Sequence, residues 1–533
     1  MSGSNDVLDL LIIGAGFGGM YMLIKARELG LSAQVFEKGD DVGGTWYWNR
    51  YPGARCDIES MEYSYQFSEE LQQEWKWTER YAAQPEILAY LNHVADRFDL
   101  RPDIRFDTRV TAADFDEEAG LWRVETDRNE KYTATFVVAA TGCLSVPFKP
   151  DFKGQGEYRG RVLHTGEWPH EGVDFSGQRV ALIGTGSSGI QAAPLIAEQA
   201  DHLTVFQRTP AYSVPARNRP MDPDAQASIK AGYAEFRTRN KQQLAGYGSS
   251  HGMNEKSVFD DPPEVREKTF EEYWEQGGLL FLRAYADLLL DPRANAEAAD
   301  FVRRKIAQKV GDEVLRDKLT PYGYIACKRL CADTEFFETF NRENVSLVDV
   351  NETPIKCLTG NGIRTSAAEF AFDAIVLATG FDAMTGALDR IDIRGRGGQS
   401  LKEKWESGPL NYLGLEVAGF PNFFMVTGPG SPSVLSNMVP SIEQHVEWIS
   451  DCIAWMRSNG KQTIEPDPGS ERQWVAYVNA VADMSVYPHC NSWYLGANVP
   501  GKPRVFSPCL GVPQYNEKCE EVVANGYEGF VVH

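Results

Sequence analysis

"LDLLIIGAGFGGMYMLIKARELGLSAQVFEKG", residues 8–39, reads as an apolar strand, a glycine cluster, a helix and a second apolar strand. Gly14, Gly16 and Gly19 form GxGxxG. In that pattern the first glycine permits a sharp turn, the second lets backbone approach a pyrophosphate, and the third lets the helix pack on its strand. The helix N-terminus then offers N–H donors and a partial positive charge to the anion. Glu37 closes the second strand, where a carboxylate accepts hydrogen bonds from ribose hydroxyls. The stretch predicts a βαβ unit that binds a dinucleotide.

The same grammar returns at residues 178–209, "QRVALIGTGSSGIQAAPLIAEQADHLTVFQRT", with Gly184, Gly186 and Gly189 in the glycine positions. Where the first unit has Glu37, this one has Gln207, Arg208 and Thr209. Loss of the carboxylate and gain of a guanidinium and a hydroxyl suit a 2′-phosphate, which a carboxylate would repel. The first unit is thus expected to take an unphosphorylated dinucleotide and the second NADP(H). "FVVAATG" (136–142) and "AIVLATG" (374–380) are apolar strands ending in ATG. Both are read as supporting a flavin in the first domain, at points where the chain passes between domains, with two ordinary buried strands as the equally open alternative.

The texture changes over residues 223–319, where charged residues and alanine dominate and Val302, Ile306 and Val310 recur at helical spacing. Asp291-Pro292 reads as a helix start and Gly311 as a stop. Strand-like runs return from residue 372, followed by a helix expected over 441–456. The fold class is α/β, with two Rossmann-like dinucleotide-binding domains. The expected divisions are 1–145 and 372–533 for a FAD domain, 146–222 and 320–371 for an NADP domain, and 223–319 for a helical insertion in the latter.

The rest of the composition narrows the function. The chain has 533 residues, 43% of them hydrophobic and 24% charged, as in soluble globular proteins of more than one domain. Its 53 Lys and Arg against 75 Asp and Glu leave a net charge of −22. Such a surface repels phosphate backbones and anionic membranes, so neither nucleic acid nor membrane is expected as a partner. The uncharged stretch at residues 10–24 is too short to cross a bilayer, which takes about 20 apolar residues. Asp6 and Asp9 stand where a signal peptide would be basic, and the 9 cysteines are too sparse for a secreted framework. A cytoplasmic, reduced protein is expected. The closest cysteines, Cys327 and Cys331, do not form CxxC, which a flavin disulfide reductase would need. No histidine spacing points to a metal.

Several stretches together resemble the Baeyer–Villiger monooxygenases, class B flavoproteins. "GGTWYWNRYPGARCD" (43–57) is similar to that family's GGxWxxxxYPGxxxD at every fixed position. "YRGRVLHTGEWPH" (158–170) resembles FxGxxxHxxxWP(D/H), with Gly160, His164 and Trp168 in place and Tyr158 where Phe is usual. "KRL", "ATGFDAMTGAL", "GPGSPSVLSNM" and "SWYLGANVPGKPRVF" extend the likeness to the C-terminus, and the loop at 428–438 looks most like the phenylacetone and steroid branch.

The resemblance implies FAD and NADPH as cofactors and a ketone and O2 as substrates. NADPH would reduce the flavin, O2 would form a flavin C4a-peroxide, and a tetrahedral adduct with the ketone would rearrange to an ester or lactone. It implies that Arg329 supplies the fixed cation, since an arginine keeps its proton at working pH, and that Asp57 pairs with it. FAD would be held by Gly14, Gly16, Phe17, Gly19, Glu37, Lys38, Gly44, Thr45, Trp46, Asp57 and Tyr63. NADP would meet Gly184, Thr185, Gly186, Ser187, Ser188 and Gly189, with Arg208, Thr209 and Lys328 on its 2′-phosphate and Arg329 and Trp493 near its nicotinamide end. Ser433, Val434, Leu435, Ser436 and Met438 would line the ketone pocket. Gly160, His164 and Trp168 would couple the domains, with a core histidine the plainer reading of His164's chemistry. An S- or N-oxygenase of the same superfamily is the alternative, and a non-catalytic NADPH-binding flavoprotein the furthest one.

Overall fold

The computed structural model describes residues 7–504 and 511–533. Asp6, and Val505 and Phe506 of the C-terminal motif, lie outside the described residues. Two sheets, the first mixed and the second all parallel, carry the two glycine loops. In the first sheet the strands run Asp392–Arg394, Val110–Asp116, Leu121–Thr126, Lys131–Ala139, Leu8–Ile13, Ala33–Phe36 and Ile104–Arg105, with Phe423–Met425 also paired to Lys131–Ala139. The strand Leu8–Ile13 sits between Ala33–Phe36 and Lys131–Ala139, both parallel to it, and Leu10, Leu11 and Ile12 have no exposed surface. That double-sided burial explains why the stretch is a continuous apolar run rather than an alternating one.

The second sheet is all parallel, in the order Val345–Asp349, His202–Gln207, Arg179–Ile183, Ala374–Leu377 and Arg161–His164. The second ATG strand therefore belongs here and not with the flavin-expected sheet. The reason is local. A Cβ on Gly14 would lie 2.6 Å from the carbonyl oxygen of Ala140, and one on Gly184 would lie 2.3 Å from that of Ala378. Each glycine turn packs on the alanine of its own ATG. The chain leaves the second sheet after Gly380, beyond the division expected at residue 372.

Those two exits run side by side. Met384 N–H donates to Cys143 O at 2.9 Å, Asp382 N–H to Val146 O at 2.8 Å, and Phe148 N–H to Gly380 O at 2.9 Å. The two connections between the sheets thus form a short antiparallel pair. His164 ends its strand against this pair, with Nε2 3.2 Å from Phe148 O and its Nδ1 accepting from Gly166 N–H at 3.0 Å. Burial lowers its pKa to about 4, so the ring is a neutral brace. Trp168 is buried beside Phe175, and a Cβ on Gly160 would fall 2.2 Å from the Tyr158 hydroxyl.

Between residues 223 and 319 the helices are Pro223–Ala231, Tyr233–Lys241, Pro263–Gln276, Pro292–Lys309 and Glu313–Leu319. Asp291 caps Pro292–Lys309 by accepting from Arg293 N–H, as its sequence implies. The helix expected over 441–456 runs from Met438 to Ser458, because Asn437 caps it earlier and Pro440 fits its first turn. No helix among the described residues is long and apolar enough to cross a membrane. Cys327 and Cys490 are joined by a disulfide, which corrects the expectation of a fully reduced chain; a pairing 163 residues apart leaves no local spacing to read.

Glu416 is fully buried in a bend that pairs with Tyr412 and Phe424, and neither carboxylate oxygen has a hydrogen-bond partner. Burial, and then the charge of Glu465, push its pKa well above 4.5. A carboxyl that holds its proton more tightly when folded stabilises the fold at low pH and loses that contribution as pH rises past the ordinary glutamate value. Glu416→Gln removes the titration and keeps the shape. Its melting temperature should exceed that of the parent by a margin that grows between pH 5 and pH 8, to roughly a few degrees. A pH-independent difference in thermal melts would show that Glu416 is not held protonated.

Candidate active site

The first glycine loop leads into the helix Phe17–Glu28, and the second into Ser187–Gln199. Neither helix has a side-chain cap, so first-turn N–H groups remain for an anion. Gly16 faces Gly44: a Cβ on Gly44, whose φ is 52°, would lie 2.9 Å from the Cα of Gly16. This all-glycine cradle is what a pyrophosphate needs for close backbone approach, and it fits a flavin dinucleotide. Glu37 is buried beside it and accepts from the N–H groups of Ala15 and Gly39, both at 2.8 Å. Lys38 Nζ lies 4.2 Å over the Trp48 ring, with burial lowering its pKa.

Deeper in, Phe17 meets Tyr63 edge to face at 5.6 Å, and Trp46 Nε1 donates to the Tyr63 hydroxyl at 3.1 Å. Thr45, by contrast, is exposed in the short helix Thr45–Trp48.

Residues 51–57 then cross from the first unit to the second. The Tyr51 hydroxyl donates to Gln191 Oε1 at 2.7 Å, and Gln191 Nε2 donates to Arg55 O at 3.1 Å. Gly53, at φ 81°, brings its Cα so near that a Cβ would lie 2.3 Å from Gln191 O. The YPG portion of the motif is a strap between the two nucleotide units, and Asp57 stands at its far end.

There Asp57 meets Arg329. Nε and Nη2 of the guanidinium each donate to a carboxylate oxygen at 2.8 Å, the two-pronged arrangement that arginine favours. Burial alone would lower the arginine pKa, but Asp57 and Tyr494 outweigh it and hold the group firmly charged. The side chains keep 25% and 20% exposure, so the pair is not sealed in the core. Arg329 Nη1 donates to Val434 O at 2.9 Å. That bond brings in the loop Ser433–Leu435, whose Ser433 lies 3.1 Å from Cys143 Sγ. Val434, Cys143, Met384 and Tyr494 form one small apolar cluster, with Leu435, Met438, Leu144 and Trp493 against it. Ser436 turns away and donates to Ser433 O.

On the second unit, Arg208 is exposed and Lys328 half-buried, close enough that Arg208, after burial, lowers the lysine pKa. No carboxylate pairs with either among the described residues, which fits a doubly charged phosphate. Thr185 donates to Thr209 O at 3.1 Å, and Ser187 lies 3.3 Å from Cys331 Sγ. Space is open where a Cβ would stand on Gly186.

Sequence reading missed Tyr51, Cys143, Tyr247 and Tyr494. Tyr51 and Tyr494 sit inside quoted motifs, and Cys143 directly follows an ATG. Tyr247, flanked by Gly246 and Gly248, had no such flag. Its loop is held by Gly248 N–H to Glu62 and Asn437 N–H to Ala245 O, both at 2.8 Å. Burial and the charges of Arg329 and Asp57 act on its phenol.

Comparison with known proteins places this arrangement. The family model for pyridine nucleotide-disulphide oxidoreductases matches residues 11–255. A Baeyer–Villiger monooxygenase of Pseudooceanicola batsensis is 43% identical over 528 residues, covering 98% of this chain and 96% of the relative. The phenazine N-monooxygenase PhzNO1 of Lysobacter antibioticus is 41% identical over 532 residues, covering 98% and 97%. Among solved structures, oxidized steroid monooxygenase bound to NADP is 50% identical with a TM-score of 0.94, covering 99% of both chains. OTEMO in complex with FAD and NADP is 40% identical with a TM-score of 0.95, again covering 99% of both.

The Gly16–Gly44 approach is open to direct test. Gly44→Val should yield folded protein with much less bound flavin, read as the 450 nm to 280 nm absorbance ratio after purification. A ratio equal to that of the parent would remove this cradle from the cofactor site.

Proposed function

Because the chain belongs to the Baeyer–Villiger monooxygenases, we propose that the cleft between its two glycine loops converts a ketone to an ester or lactone, with NADPH and O2 consumed and water released. FAD held there would supply the redox and oxygen-activating chemistry, with NADPH as the source of reducing equivalents. The glycine cradle, Glu37 and the uncapped helix hold the flavin dinucleotide; Arg208, Lys328 and Thr209 hold the 2′-phosphate of NADPH.

The observation that carries the assignment is the two-pronged Arg329–Asp57 pair at the mouth of the Val434 cluster. Oxygen insertion at a ketone would place negative charge on oxygen, and a preorganised cation lowers such a barrier without reorganising. Arg329 is that cation. Asp57 fixes its orientation while leaving N–H groups of the guanidinium free for the reacting oxygens. The apolar walls from Val434, Leu435 and Met438 exclude water and favour a hydrophobic ketone. Neutral His164 takes no proton and works as a brace where the two connections pass. The reaction is placed in the cytoplasm, where NADPH is supplied.

Product mass after aerobic incubation with NADPH and phenylacetone, a cyclic ketone, a steroid ketone or thioanisole tests the reading. A ketone should gain one oxygen as ester or lactone; oxygen transfer to the sulfide alone would favour the S-oxygenase alternative. Arg329→Ala should still be reduced by NADPH yet lose ester formation by at least about 100-fold. Normal ester yield would end its role as the fixed cation. Arg208→Ala should raise the KM for NADPH about tenfold or more and narrow the preference over NADH. Unchanged selectivity would take Arg208 off the phosphate.

A further inference from the structure

Thr427 has a φ of 56° and Leu413 one of 59°, left-handed backbone that a side chain resists, a β-branched one most of all. Such residues persist where their surroundings over-determine them. One buried pair of side chains holds both. Thr427 N–H donates to His445 Nδ1 at 2.9 Å, His445 Nε2 lies 2.9 Å from the Tyr515 hydroxyl, and that hydroxyl donates to Leu413 O at 2.6 Å. His445 has no exposed surface and Tyr515 keeps 1%. The phenol gives its one proton to Leu413, so Nε2 carries the ring proton and Nδ1 is left as an acceptor. Burial lowers the histidine pKa to about 3, which keeps the ring neutral.

Thr427 stands just beyond the strand Phe423–Met425, at the carboxyl edge of the first sheet, and Val426 N–H donates to Ala139 O at 3.0 Å. Its own carbonyl accepts from Cys143 Sγ at 3.3 Å and from Ser433 Oγ at 3.4 Å. Ser433 is left-handed as well, at φ 43°, and the next residue is Val434, whose carbonyl receives Arg329 Nη1 at 2.9 Å. Relaxing Thr427 to an ordinary negative φ would swing its carbonyl away from both donors and release that turn. Taking the ketone-oxygenating reading above as premise, we propose that His445 is a positioning residue for the pocket loop: by accepting the Thr427 N–H it holds that residue left-handed, and so fixes the Ser433–Val434 turn on which Arg329 is set.

The turns that carry the two strained residues pack backbone on backbone. A Cβ on Gly428 would lie 2.4 Å from Gly414 O, and Met425 N–H donates to Leu415 O at 2.8 Å. His445 and Tyr515 come to this junction on separate helices, Met438–Ser458 and Val512–Ala524. A histidine that merely fills the core needs any partners for its two nitrogens. This one reaches a left-handed residue through each, Thr427 directly and Leu413 by way of Tyr515.

The test is made in the purified holoenzyme. His445→Leu should cut ester formed per NADPH consumed about tenfold, the balance appearing as hydrogen peroxide, with bound flavin and the NADPH KM within about twofold of the parent. His445→Asn keeps an acceptor, Oδ1, at the place of Nδ1 and should hold that ratio within about twofold of the parent; His445→Gln, whose amide lies at the place of Nε2, should not. A space-filling role would rank the larger glutamine first. Equal or inverted ranking of the two amides overturns the proposal even if the leucine variant fails to fold, and so does a parent-like ratio in His445→Leu. The second readout is thermal melting. Glycine adopts the left-handed backbone without strain, so the loss caused by His445→Leu should shrink by about half or more in a Thr427→Gly background. Additive losses would also overturn it. If the parent makes no ester from any ketone, the reading of the reaction fails instead, and the melting cycle still decides whether His445 holds Thr427.

Discussion

Drawing a guanidinium and a carboxylate out of bulk water costs more than their attraction returns unless both are aimed closely and their remaining valences are met. Asp57 and Arg329 lie 272 residues apart in sequence, so nothing local can aim them. The fold is organised around solving this. Asp57 is carried on a strap whose tyrosine and glycine clasp the helix Ser187–Gln199 of the second nucleotide unit, and Arg329 comes two residues before Cys331, which packs on the start of the same helix. The charge pair thus exists only while the two glycine-loop units face each other, so the same contact that assembles the cation also assembles the cleft it serves.

Much of this was legible because backbone constraints write themselves into local sequence. Gly14 and Gly184 stand where only glycine fits against a neighbouring carbonyl, and the apolar strands before them are buried on both faces. Gln207 in place of Glu37, with Arg208 and Thr209 after it, announced a change of ligand through charge. The motif ending in Asp57 was visible as a pattern, but not that its YPG portion straps the two units together. That Tyr51 and Gly53 reach Gln191 depends on where a distant helix begins.

The misreadings have one physical cause. An ATG strand names a kind of packing and not a particular sheet, so the second such strand was joined to the wrong one. The Cys327–Cys490 bridge and the loop around Tyr247 both arise from tertiary approach between segments with no shared periodicity. The start of the helix Met438–Ser458 slipped by three residues because an asparagine cap outranked the apolar pattern.

The paired connections at residues 143–148 and 380–384 carry a mechanical consequence. A body held by one tape can twist, swing and shear. Held by two tapes bonded edge to edge, it keeps chiefly a single swing, like a door whose leaves share one pin. His164, neutral and braced at that pin, brings no charge to it. The bonds of Tyr51 to Gln191 and of Arg329 to Asp57 then restrain the one swing that the paired tapes leave, so three sets of contacts hold the two glycine loops at the facing seen here.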